Sequence, residues 1–317
     1  MKAKSQNKSL LIRMILVGLL IVSASYGQQD AQYTQYMYNT ISVNPAYAGS
    51  KEGFSATALY RTQWVGFDGA PETQTLNFHT PIGYSGLGIG VSFVNDAIGP
   101  TSESFFDIDF SYIISTGTYG QLGFGLKASA QLLDIRFSEL TQDVTQGVDS
   151  DLQQNIDKRF SPNIGAGIYY FSEQFYAGIS VPRILETEHF EASDLSTAKE
   201  QMNWYFMSGY VWDLAPTLKF KPALLTKWTQ GAPLQIDVSA NFMFNDKFII
   251  GSAYRWDATF SGMLGFYLSD QLLLGLAYDR EITNLGATTF NNGSFEVILR
   301  YDLFVPDYRK MRSPRFF

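Results

Sequence analysis

The amino-acid sequence predicts an all-β fold, a transmembrane antiparallel β-barrel of about 14 strands behind an N-terminal lead-in. Three observations carry that prediction. Along residues 233–245, Leu234, Ile236, Val238, Ala240, Phe242 and Phe244 share one parity, while Gln235, Asp237, Ser239 and Asn241 share the other. Only Met243 intrudes on the polar side. Successive strand side chains point to opposite faces, so this stretch is a strand with one apolar and one polar surface. The pattern then repeats to the end of the chain across joints as short as Ser269-Asp270, which signal tight hairpins. Finally, connectors alternate between short and long, as in outer-membrane barrels with short periplasmic turns and longer outer loops.

Taken in order, the chain opens on a segment outside the fold. Lys2, Lys4, Lys8 and Arg13 precede an apolar run at 14–24 that is too short to span a bilayer. Ser25 and Gly27 supply small residues before a cut ahead of Gln28, so residues 1–27 read as a secretory signal peptide. Residues 28–50 are polar and Tyr-rich, lack alternation and contain the turn pair Asn44-Pro45. They are expected to form a periplasmic, plug-like lead-in packed against the inner rim of a barrel at 51–303.

The barrel segments run near 53–63, 73–82, 86–95, 103–115, 120–136, 161–172, 175–185, 201–214, 217–230, 233–245, 247–257, 259–268, 271–281 and 293–303. Phe106, Ile108, Phe110 and Tyr112 oppose Asp107, Asp109 and Ser111. Leu122, Phe124 and Leu126 oppose Gly123, Gly125 and Lys127. Phe295, Val297, Leu299 and Tyr301 oppose Ser294, Glu296, Arg300 and Asp302. A water-facing lumen and a lipid-facing wall demand this segregation. Every second connector is short, at 83–85, 116–119, 173–174, 215–216, 246 and 269–270, and the other set includes 137–160, 186–200 and 282–292. An even strand count puts both chain ends with the short set, on the periplasmic side. The two long loops at 137–160 and 186–200 are acidic, a solvated outer surface or a docking face. The tail at 304–317 reverses the sign, with Arg309, Lys310, Arg312 and Arg315 against Asp307, and is expected in the periplasm.

Composition agrees. Aromatic residues make up 15% of the chain and charged ones only 17%, a mixture of apolar wall and polar lumen. Removing the signal's 4 basic residues from 23 leaves 19 against 30 acidic ones, a net charge of −11. That balance disfavours nucleic acid, which needs a basic phosphate-binding stripe. No cysteine is present, which removes disulfides, thiolate catalysis and sulfur-ligated metal. The two histidines, His79 and His189, lie apart. His79 falls on the polar parity beside Asn77 and reads as a lumen hydrogen-bonding residue, and Asp149-Ser150-Asp151 is too short for a calcium loop. No catalytic residue, cofactor or metal is expected.

A resemblance adds to this reading. Gln35-Tyr36-Met37-Tyr38-Asn39, then Asn44-Pro45-Ala46-Tyr47-Ala48-Gly49-Ser50, resemble the opening of the PorP/SprF family. Arg61-Thr62-Gln63-Trp64, Asn95-Asp96-Ala97-Ile98-Gly99-Pro100 and the terminal Ser313-Pro314-Arg315-Phe316-Phe317 follow in the family's order. The resemblance implies a non-enzymatic outer-membrane component of type IX secretion and gliding machinery. Its implied partners are outer-membrane lipid, periplasmic secretion components and a secreted surface adhesin. Gln35, Tyr36, Asn44, Pro45, Ala46, Tyr47, Gly49, Pro314, Arg315, Phe316 and Phe317 are its candidate partner-interaction positions. The alternative from another class is an outer-membrane pore for passive or gated solute passage, since a lumen this wide conducts unless something fills it. A lipid-active enzyme using His79 is a third and weaker reading.

Overall fold

The alternating segments form strands in register around a closed ring. The computed structural model describes residues 31–51, 53–117, 119–140, 155–186, 201–283 and 291–303. The strands are β1 (Phe54–Thr62), β2 (Glu72–Ile82), β3 (Leu87–Ile98), β4 (Thr101–Ser115) and β5 (Gln121–Ile135). Next come β6 (Ile156–Phe171), β7 (Phe175–Val181), β8 (Asn203–Tyr210), β9 (Trp212–Ala215) and β10 (Leu218–Thr229). The last are β11 (Gln235–Phe244), β12 (Phe248–Arg255), β13 (Thr259–Ser269), β14 (Leu272–Glu281) and β15 (Ser294–Leu303). Neighbours pair antiparallel throughout, and β15 closes on β1 from Phe54↔Leu303 to Thr62↔Phe295. Closure leaves the sheet no free edge to template aggregation.

Because β8 and β9 both pair with β10, they are two pieces of one stave, and the barrel has 14. The break has a local cause. Ala223 of β10 pairs with β8 and Phe220 with β9, and between them stands Pro222, which has no N–H for a ladder. At the gap the Val211 N–H turns to the Gln174 carbonyl instead, at 2.7 Å.

Burial is inverted relative to a soluble protein. In β15, Phe295 is 46% exposed and Val297 40%, whereas Glu296 is 1% and Arg300 2% exposed. In β2, Leu76 and Phe78 face out while Thr75, Asn77 and His79 face in. An apolar outer belt with charge sealed inside is stable only where hydrocarbon replaces water outside. Phe54 and Leu303 lie opposite each other at the end that carries the short joints after β2, β4, β6, β9, β11 and β13. The longer connectors gather at the other end.

Three boundaries move by more than two residues from the sequence expectation, at the end of β3, the start of β6 and the end of β7. Strands β3 and β4 run on to Ile98 and back from Thr101, so the expected 96–102 loop shrinks to Gly99-Pro100. Strand β6 begins at Ile156 instead of 161, because Ile156 and Arg159 continue the ladder on β5 with exposed charges and no apolar stripe. Strand β7 stops at Val181 instead of 185, where Pro182 ends the pairing and the Asn163 side chain receives the N–H groups of Ile184 and Leu185. The signal peptide, the loop stretches at 141–154 and 187–200 with His189, and the tail with Pro314, Arg315, Phe316 and Phe317 lie outside the described residues.

Candidate functional site in the barrel lumen

The lead-in goes further than the inner rim. Residues 31–50 run through the lumen, from the long-loop end at Gln32, bonded to Gln235, to the short-turn end, where the Lys51 ammonium sits 2.6 Å from Asp302. The correction follows from the wall. Its inward face is polar and glycine-rich near β2–β7, and on β8–β15 it sets the apolar Met207, Leu225, Met243, Ile249, Met263, Leu273 and Ile298 among charged groups such as Lys221, Asp279, Glu296 and Arg300. A Tyr-rich segment with scattered polar groups matches both sides at once. Tyr33, Tyr36, Met37, Tyr38, Ile41, Val43 and Tyr47 pack with those wall residues into one buried cluster.

Locally the segment is three single turns of 3-10 helix, Tyr36–Tyr38, Thr40–Ser42 and Pro45–Tyr47. The last is set by sequence: Pro45 takes the first helical position, and the Asn44 side chain accepts the Ala46 N–H at 3.0 Å. Its backbone-to-backbone bonds stay within the segment, and among the described residues none reaches the backbone of a strand. Side chains hold it instead.

At the long-loop half, one guanidinium organises the contact. Arg61 of β1 pairs with Asp279 of β14 at 2.7 Å and with Glu296 of β15 at 3.2 Å, all three almost wholly buried. Two carboxylates against one cation leave a negative excess, and the plug supplies the remaining donors. Thr34 and Gln35 each donate a backbone N–H to Glu296 at 2.9 Å, and the Thr34 hydroxyl donates to Asp279 at 2.7 Å. Midway, Asn77 donates to Asn39 and Ser42, and Tyr38 lies under the Lys221 ammonium, 5.3 Å from the ring centroid.

Toward the short-turn end the wall becomes a glycine trough. Gly88 of β3, Gly123 and Gly125 of β5, Gly167 of β6 and Gly178 of β7 all lie where an added Cβ would collide with Asn44, Ala46 or Ala48. Into it the Asn44 amide donates to the Ile168 carbonyl at 3.0 Å, and Ser180 and Ser111 donate to the carbonyls of Val43 and Ala48. Gly49 has φ +69° and abuts Gly88, so this turn needs glycine for both its conformation and its space. His79 accepts the Gly49 N–H on Nδ1 at 3.3 Å and meets the Tyr47 ring edge-on at 5.3 Å.

The structure thus brings Gln35, Tyr36, Asn44, Pro45, Ala46, Tyr47 and Gly49 together, but buried against the chain's own wall. A partner would meet them only if the segment left the lumen. Sequence reasoning missed Arg61, Asp279 and Glu296 as their anchors. The available signal was a charge on the inward parity of the first strand and of the last two, which closure of the expected barrel makes neighbours. The Arg61-Thr62-Gln63-Trp64 run also ties two outer connectors together. Trp64 donates its indole N–H to Glu281, and Val65 exchanges bonds of 2.9 Å with Asn292 and Gly293.

The chain shows distant likeness to solved outer-membrane proteins. The Acinetobacter baumannii outer membrane protein Omp33 is similar at 7% identity and a TM-score of 0.47, over 80% of this chain and 100% of that one. The CymD monoaromatic hydrocarbon channel is similar at 11% identity and a TM-score of 0.49, over 88% and 95%. No curated protein sequence matches. The model of the type IX secretion system membrane proteins PorP/SprF matches residues 25–301. With most of its length inside that match, this outer-membrane barrel belongs to the PorP/SprF family of type IX secretion system membrane proteins.

Proposed function

We propose that this barrel is a non-enzymatic partner-binding component of the type IX secretion and gliding machinery, supporting the secretion or surface anchoring of a partner adhesin. The observation that carries the reading is the family match across residues 25–301. The filled lumen supports it against the rival of passive solute passage, because Tyr36, Asn44, Ala46 and Tyr47 occupy the axis a solute would follow. Contacts then belong to displayed surfaces. The acidic outer loops meet the exported client, and the short-turn rim with the basic tail, including Pro314, Arg315, Phe316 and Phe317, meets periplasmic secretion components. The segment at 31–50 acts from within the lumen, as a plug that shapes both ends. Affinity capture of the full-length chain from crosslinked envelopes tests the reading. Recovery of secretion-ring components or a surface adhesin is the expected result, and recovery of neither contradicts it.

A further inference from the structure

The two ends of the plug are fixed at opposite ends of the barrel. Toward the short turns, the Gly49 N–H donates to His79 of β2, and Lys51 meets Asp302 of β15. At the long-loop end, Gln32 donates its side-chain amide to Gln235, the first residue of β11, at 3.0 Å. The Tyr33 hydroxyl shares a hydrogen bond of 2.9 Å with Thr75 of β2, and Thr34 and Gln35 hold Asp279 and Glu296. Consecutive residues 32–35 thus grip β2, β11, β14 and β15 in the long-loop half, which sets the direction of the chain. Burial runs the same way, since residues 33–41 are sealed while Ala31 and Gln32 are partly exposed.

We propose that the chain threads its own barrel, so that its mature amino end is displayed on the outer surface among the long loops. The even number of staves fixes the side of residues 51 and 303 and no more. The pass of residues 31–50 through the lumen adds one crossing, which carries the amino end to the opposite side. Chain length leaves no way back. The 10 residues of β15 span about 34 Å along the strand, or roughly 25 Å along a barrel axis at the usual tilt. With the chain cut ahead of Gln28, only Gln28, Gln29 and Asp30 precede Ala31, and fully extended they reach about 10 Å. The axis they would retrace is already filled by the buried cluster.

Threading places one more element on the outer docking face. In the secretion reading, on which this consequence alone rests, an exported polypeptide meets the amino end beside the acidic loops. What it grips there continues through the lumen to Lys51 at the short-turn rim.

Because the chain has no cysteine, single cysteines report sidedness directly. Three full-length variants are compared in cells: Gln29→Cys, Asp68→Cys on the exposed β1–β2 connector, and Glu173→Cys on the exposed β6–β7 turn. Each is treated, before or after lysis, with a polymer-linked maleimide too large to cross the outer membrane. Labelling is read on the gel-resistant band, so that only folded barrel counts. The expected result is that Gln29→Cys is labelled in intact cells as fully as Asp68→Cys, with no gain on lysis, whereas Glu173→Cys is labelled only after lysis. Labelling of Gln29→Cys only after lysis overturns the proposal, and so does its absence in both states. Labelling of Asp68→Cys only after lysis overturns it too, by putting the long loops inside. No secretion partner enters the measurement, so a negative result leaves the secretion reading standing.

Discussion

At the scale of the residue, the lumen rests on two kinds of side chain that look ordinary in the sequence. Glycines at 88, 123, 125, 167 and 178 read as relief on a strand's inward face, and the structure gives that relief a purpose, because Asn44–Ala48 lies on them. Gly125→Ala is therefore expected to lift this turn and lower stability by about 1–3 kcal/mol, the usual range for overpacking. Gly262→Ala, with open space around its Cβ, should shift nothing. Thermal unfolding in detergent, read by loss of gel-resistant migration, compares the pair. The Arg61 guanidinium is the second kind. Arg61→Ala leaves Asp279 and Glu296 buried without their cation, which costs roughly 3–5 kcal/mol. Unfolding midpoints in urea measure it, and Arg61→Ala unfolding at the parent midpoint would exclude a shared charge site. Parity alone told which residues face inward. It could not tell which of them meet, since Arg61 and Glu296 are 235 positions apart and become neighbours only through closure.

At the scale of the element, the strands were legible and the lead-in was only half so. All fourteen staves follow from period-two alternation, and the long connectors all fall at one end as expected, although the joint at Gly99-Pro100 on that end is as short as those opposite. The alternation lost its hold where strands leave the apolar belt, as at Ile156–Arg159, since solvated ladder needs no apolar stripe. For residues 31–50, absence of alternation correctly excluded a strand. Its depth in the lumen was hidden, because single 3-10 turns leave no periodic trace and their stabilising contacts are all long-range. Among the described residues the plug makes no backbone-to-backbone bond to the wall, so it can be removed without breaking the ladder. Deleting residues 31–50 should turn a silent protein into one with steady single-channel conductance in planar bilayers. Conductance of the intact protein equal to that of the deletion would mean that the segment does not block the lumen.

At the scale of the whole molecule, two surfaces of opposite character enclose one another, hydrocarbon-facing outside and a plugged, charge-lined lumen inside. Exposed Phe, Leu, Ile, Val or Trp on every stave are tolerable only in lipid, and buried Arg61, Lys127, Lys221 and Arg300 only beside their partners within. The chain has no cysteine, so single substitutions along β15 can report this arrangement directly. Labelled one at a time with a fluorophore in liposomes, positions 295, 297, 299 and 301 should be quenched by a lipid-borne quencher. Positions 296, 298 and 300 should be shielded from both lipid and aqueous quenchers, and should open to the aqueous one when residues 31–50 are deleted. Quenching without a two-residue period, or inward positions that water-soluble quencher reaches in the intact protein, would contradict a lipid-embedded barrel closed by its own N-terminal segment.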